Sequence, residues 1–211
     1  YNMGVFRYEG LYIGLPAFFH HTGDVNENSD GFHRVQLTTS RDLRSWTRLG
    51  ERQAFIGPST IESGAYDLNG IMPPSKPILK DNALWFYYPG SRYRQEPPDA
   101  VSKRGAACLA VLRRDGFISL DAGGSGGSVL TETFLLPSPW LFTNVDAKGG
   151  SVQVEVLDVA GGVIAESEPI KGDHPRYPVQ WKGDLASSVN RPVQLRLRAN
   201  DASLYSYWFD E

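Results

Sequence analysis

The chain carries one unit twice. Gly10-Leu11-Tyr12-Ile13-Gly14-Leu15-Pro16 aligns with Ala83-Leu84-Trp85-Phe86-Tyr87-Tyr88-Pro89 at an offset of 73 residues. Val35-Gln36-Leu37-Thr38-Thr39-Ser40-Arg41-Asp42 aligns with Cys108-Leu109-Ala110-Val111-Leu112-Arg113-Arg114-Asp115 at the same 73, with no net gap between the two matches. Each copy has an aromatic, apolar run ending in Pro, then a polar stretch, then a strand-like run ending in Arg-Asp. A fixed self-offset marks a repeat architecture, in which each unit buries its apolar face against a neighbour.

Within the first copy, strands are expected over 5–8, 11–19, 35–40 and 46–49, with Glu9-Gly10 as a short hairpin turn. The second copy predicts strands over 76–80, 84–88, 107–113 and 117–120. Helical periodicity is absent, and 14 Pro and 22 Gly punctuate the chain, so it reads as all-β. Four-stranded meanders repeated radially describe a β-propeller. The rival for the same signal is a β-sandwich of two similar halves, which would usually need Greek-key crossings.

Beyond residue 120 the pattern changes. Asp121-Ala122-Gly123-Gly124-Ser125-Gly126-Gly127-Ser128 reads as a flexible linker or loop. Short strands are then expected over 129–136, 140–145, 151–157, 163–166, 178–181, 193–198 and 204–209. Two of these runs, 151–156 and 193–198, alternate cleanly between apolar and polar. Asp158-Val159-Ala160-Gly161-Gly162 reads as a hairpin connection. The expected architecture is therefore a partial β-propeller of two four-stranded blades over 1–120, followed by a β-sandwich over 121–211.

Composition narrows function mainly by exclusion. The net charge is −3 with acids and bases interspersed, which gives no electrostatic case for nucleic acid or an anionic membrane. No run approaches the roughly 18 apolar residues of a membrane span. The single cysteine, Cys108, rules out an internal disulfide or a multi-cysteine metal site, and its apolar strand predicts a buried, inert thiol. One cysteine fits the cytosol, and a secreted protein with a large core needs no disulfide either. Tyr1 is no initiator, and 1–6 already reads as the inside of a strand, so a longer natural chain is expected.

Topology decides which loops can carry chemistry. In an up-and-down blade, the loop between the second and third strands emerges on the same face as the loop leading to the next blade. That face receives His20 and His21 from copy one, Arg92, Tyr93 and Arg94 from copy two, and the interblade loop 57–70 with Glu62, Tyr66, Asp67 and Asn69. The opposite face receives Glu9, Asp42, Asp81 and Asp115. The recurring Arg-Asp pair points to turn chemistry, with Asp bonding its own backbone. His20-His21 suits proton handling, but acid or His partners at ligand spacing are missing, so no metal and no cofactor are expected. Trp85 lies mid-strand and reads as core, and Asp146 and Asp173-His174 read as solvated loop residues.

The unit Thr39-Ser40-Arg41-Asp42-Leu43-Arg44-Ser45-Trp46, followed by Tyr66-Asp67-Leu68-Asn69-Gly70-Ile71-Met72-Pro73-Pro74 and Leu84-Trp85-Phe86-Tyr87-Tyr88, resembles five-bladed β-propeller glycoside hydrolases, with families 32 and 43 the nearest in character. The resemblance covers roughly residues 1–120, and a sandwich after the propeller is similar to the family 32 layout. It implies hydrolysis of glycosidic bonds in a poly- or oligosaccharide by acidic residues around a central funnel. Asp67 and Glu62 are the acids at matching positions, and Tyr66, Asn69, His20, His21, Arg92, Tyr93 and Arg94 are the expected substrate contacts. The family's first-blade nucleophile or base has no counterpart here. Glycoside hydrolysis needs two carboxyls about 5 Å apart for retention or about 6.5–9.5 Å for inversion, so this chain would supply part of a funnel. Propellers close with four to eight blades, so the remaining blades are expected upstream in the same gene product or in a second chain. The alternative is a non-catalytic carbohydrate-binding protein. The expected location is the bacterial periplasm or the exterior rather than the cytoplasm.

Overall fold

A computed structural model describes residues 1–22, 31–93 and 104–210. The chain is all-β and divides into two compact units, Tyr1–Leu112 and Arg113–Glu211.

The first unit opens with β1 (Met3–Tyr8), β2 (Leu11–His21), β3 (Gly31–Val35), β4 (Thr38–Ser40) and β5 (Thr47–Arg48). β1 pairs antiparallel with β2 through the Glu9-Gly10 turn, whose positive φ values of 44° and 81° match the twist of a two-residue hairpin. β3 and β4 pair with β2, and β5 pairs with β4. The predicted third strand is thus broken at Gln36-Leu37. The second sheet contains β6 (Gly70–Ile71), β7 (Ile78–Lys80), β8 (Ala83–Ser91) and β9 (Gly105–Arg113). β6 and β7 pair with opposite ends of β8, and β9 also pairs with β8. Asp81 and Asn82 form its positive-φ hairpin turn.

The repeat survives as a shared inward face. Ile13, Leu15 and Ala17 point into the core from β2, and Phe86, Tyr88 and Gly90 do so from β8, each pair 73 residues apart. Phe86 joins the two sheets, with its ring 6.2 Å from Phe6 and 5.7 Å from Phe55. Trp85 departs from expectation: period-2 alternation turns it away from Leu84 and Phe86, half-buried beneath Lys80.

The segment expected as the last strand of the second blade belongs elsewhere. The next strand, β10 (Leu120–Ala122), pairs with the final strand of the chain in the second unit. The Gly-Ser stretch behind it is no free linker. Gly126 N donates to Gly123 O, Asn200 Nδ2 donates to Gly124 O, and the chain runs on into β11 (Gly127–Leu130).

The second unit continues through β12 (Phe134–Leu135), β13 (Leu141–Leu157), β14 (Val163–Ser167), β15 (Ile170–Pro178), β16 (Trp181–Lys182), β17 (Pro192–Asn200) and β18 (Ala202–Phe209). β13 fuses two predicted strands into one of 17 residues. Its first half pairs with β18 and β15, and its second half with β17 and β14. The result is a nearly closed, barrel-like sheet around an apolar core that includes Val152, Val154, Val193 and Leu195. Gly150 is needed along this strand because a side chain there would strike the Asn200 carbonyl. β15 is the strand the sequence hid. Its Lys-Gly-Asp-His-Pro-Arg run looks like a loop, yet Asp173 sits opposite Asp146 across the ladder. Both carboxylates hold Lys148, and Asp173 also accepts from Arg113 at 2.8 Å.

Candidate functional site

The interblade loop meets the ends of both sheets of the first unit. Asn69 is its staple: its backbone N–H donates to Ser91 O, its carbonyl accepts from His33 N, and its amide donates to Gly31 O at 2.7 Å. Arg92 reaches back from β8 and donates to the carbonyls of Ala65, at 3.0 Å, and Gly64, with its guanidinium 4.1 Å from the Tyr66 ring centroid. The loop 57–70 and the β2–β3 and β8–β9 ends are therefore gathered at one edge of the unit.

Asp67 is the chemical centre of this edge. Its residue surface is only 7% exposed, and Tyr88 Oη donates to its Oδ2 at 2.6 Å. Its backbone carbonyl accepts from Ser59 N, which ties the loop's start to its end. Burial, together with the hydrogen bond and negative charge of Asp67, pushes the Tyr88 phenol far above its ordinary range. Cys108 faces the same spot from β9. A Cβ built at Gly90 would lie 2.7 Å from Cys108 Sγ and 2.9 Å from Asp67 Cβ, so only glycine lets these groups close together. Burial, and then the Asp67 charge, pushes the Cys108 thiol up. An open depression of about 580 Å³ runs alongside, lined by Tyr88, Gly90, Gly105 and Ala106 among others.

The remaining expected residues divide. Glu62 stands exposed on a single 3-10 turn, Ile61–Ser63. Tyr66 is covered by Arg92, so both are already engaged within the protein. Tyr93 is 40% exposed, and its carbonyl accepts from Ser91 Oγ. His21 is exposed at the end of β2, whereas His20 stacks on Phe32 with its Nε2 buried and unpartnered among the described residues. Arg94 lies outside the described residues. Among the described residues, no group of three or more His, Cys, Asp or Glu is placed to hold a metal ion. Asp42 is the turn residue its motif predicts. Its Oδ1 accepts from Arg44 N and Ser45 N, both at 2.8 Å, and these bonds hold its carboxyl below the usual carboxylate range. Asp115 instead accepts from Ser206 Oγ at 2.7 Å.

Sequence reasoning missed Tyr88 as a site residue. The signal was available in the repeat: position 15 carries Leu, and its partner 73 residues on carries a hydroxyl at a core position.

The protein so defined is an all-β chain whose first unit pairs two repeated meander sheets around one buried carboxylate. Neither family models nor curated proteins match its sequence. Among solved structures it is similar to a glycoside hydrolase family 43 arabinoxylan arabinofuranohydrolase from Bacillus subtilis, determined in complex with cellotetraose. That match has 10% identity and a TM-score of 0.29, and covers 100% of this chain and 54% of the other. A second structure, described as a glycoside hydrolase, is similar at 11% identity and a TM-score of 0.31, covering 97% and 58%. The chain thus spans rather more than half the length of these structures.

Proposed function

We propose that this chain contributes part of a site that hydrolyses glycosidic bonds in a poly- or oligosaccharide. One observation carries the reading: a carboxylate, Asp67, is buried and held by a phenol where the interblade loop meets the ends of both repeats. Desolvating a carboxylate is costly, and a plain turn would leave it in water. In this reading Asp67 is the orienting or catalytic carboxylate, and Glu62, on the rim of the same loop, is the proton donor. Glu62 stands exposed, so the apolar surroundings a proton donor needs would come from the bound sugar. Tyr93, His21 and Arg94 would contact substrate, while Tyr66, Arg92 and Asn69 shape the loop and His20 lines its edge. The remaining carboxyls would come from further blades, in the same gene product or a second chain, acting outside the cytoplasm. β9 supports this assembly, because among the described residues it pairs with β8 alone and exposes Leu109 and Val111.

The test is release of reducing sugar from a panel of polysaccharides and aryl glycosides. Asp67→Asn, folded by circular dichroism, is expected to lose about 10²–10⁴-fold in turnover. Unchanged turnover removes Asp67 from the mechanism. The second reading is non-catalytic carbohydrate binding. It is favoured by the fact that Asp67 is the only buried Asp or Glu side chain described in the first unit. Glycan binding without any bond cleavage would select it.

A further inference from the structure

We propose that Tyr88 is a positioning residue, which holds the Asp67 carboxyl in one fixed orientation through Oδ2 and leaves Oδ1 to act on substrate. The inference rests on the glycosidase reading for its function, and on geometry for its chemistry.

Three observations converge. First, Tyr88 Oη and Asp67 Oδ2 are 2.6 Å apart, with the two residues only 6% and 7% exposed. A short hydrogen bond between two buried groups fixes the orientation of both. Second, the repeat provides an internal control. Leu15, the counterpart of Tyr88, is fully buried without any polar group, so the fold needs no hydroxyl at this position. Polar atoms placed where packing alone would suffice are expected at functional sites. Third, among the described residues, no donor reaches the other carboxylate oxygen, Oδ1. Tyr88 therefore fixes one oxygen and leaves the second to act. The phenol is a donor in this pair, because its own ionisation is driven far upward by burial and by Asp67.

Cys108, the sole thiol of the chain, reports on the placement of Asp67 without reference to catalysis. The negative charge of Asp67 is one of the two causes raising its thiol. The experiment follows Cys108 alkylation by iodoacetamide against pH in the wild type and in Asp67→Asn. It also measures kcat and KM of Tyr88→Phe on an aryl glycoside, using the complete protein. Asp67→Asn is expected to speed alkylation at pH 8 at least about threefold, because removing the negative charge beside the thiol favours the thiolate. Tyr88→Phe is expected to lower kcat about 10–100-fold with KM within about twofold, since a displaced carboxylate costs rate rather than affinity. An alkylation profile unmoved by Asp67→Asn would mean that Asp67 is not held beside Cys108 and Tyr88, and overturns the inference. So does a Tyr88→Phe enzyme with wild-type kcat. A wild type that cleaves no glycoside sinks the proposed function alone, and the thiol measurement then decides whether Asp67 is held at this spot. If Tyr88→Phe fails to fold, Asp67→Asn carries the thiol measurement by itself.

Discussion

The two repeats of the first unit share a backbone plan and differ in what they bury. In the first, β2 lines the core with Ile13, Leu15 and Ala17. In the second, β8 offers Phe86, Tyr88 and Gly90, and the last two exist to admit Asp67. The first sheet is also finished by β5, whereas among the described residues nothing takes that place beside β9. The second copy carries a polar pair where the first has apolar packing, with the inward register of the two strands the same.

The comparison can be broken most forcefully at the residue both copies share. Phe86→Ala is expected to cost about 3–5 kcal/mol by denaturant unfolding, because the ring bridges the sheets. A cost below about 1 kcal/mol would mean that the two sheets do not share a core. Leu15→Ala is expected to cost about 2–5 kcal/mol as a plain cavity. Tyr88→Leu, which makes the second copy imitate the first, is expected to cost about 1–3 kcal/mol because it strands a buried carboxylate. The double variant Tyr88→Leu/Asp67→Leu should then recover part of that loss. Strict additivity would show that the two groups do not interact.

The alkaline limb sharpens the same contrast. The Tyr88 phenol is raised in the folded state, so its contribution is fully present below its ordinary value of 10.0 and is lost as pH climbs toward the raised one. Tyr88→Phe should flatten stability against pH above that point, as seen in thermal melts. The smallest effect belongs to Asp42, whose lowered carboxyl stabilises above its ordinary 3.8 and stops doing so as pH falls through its depressed value. Asp42→Ala should lower Tm slightly at neutral pH and leave it unchanged in acid.

Much of this fold was legible. The 73-residue offset carried the inward register intact, and Asp42 announced its turn through a Ser-Arg-Asp phrase. What stayed hidden was tertiary. Phe117 to Leu120 has the composition of a closing blade strand, and only the competing edge of β18 sends Leu120 to the second unit. β15 was invisible because Lys171, Asp173, His174 and Arg176 spoil alternation, while cross-strand ion pairs with Lys148 and Arg113 supply what apolar burial does not. At the site, loop topology and the family resemblance pointed to Asp67 but could not reveal Tyr88, 21 residues away, because that contact is made only in the folded unit.

β13 has one more consequence. Because one uninterrupted strand lends its first half to β18 and β15 and its second half to β17 and β14, four strands of that unit hang from a common spine. Amide protons along β13 should therefore exchange only through complete opening of the unit, at one rate from Leu141 to Leu157.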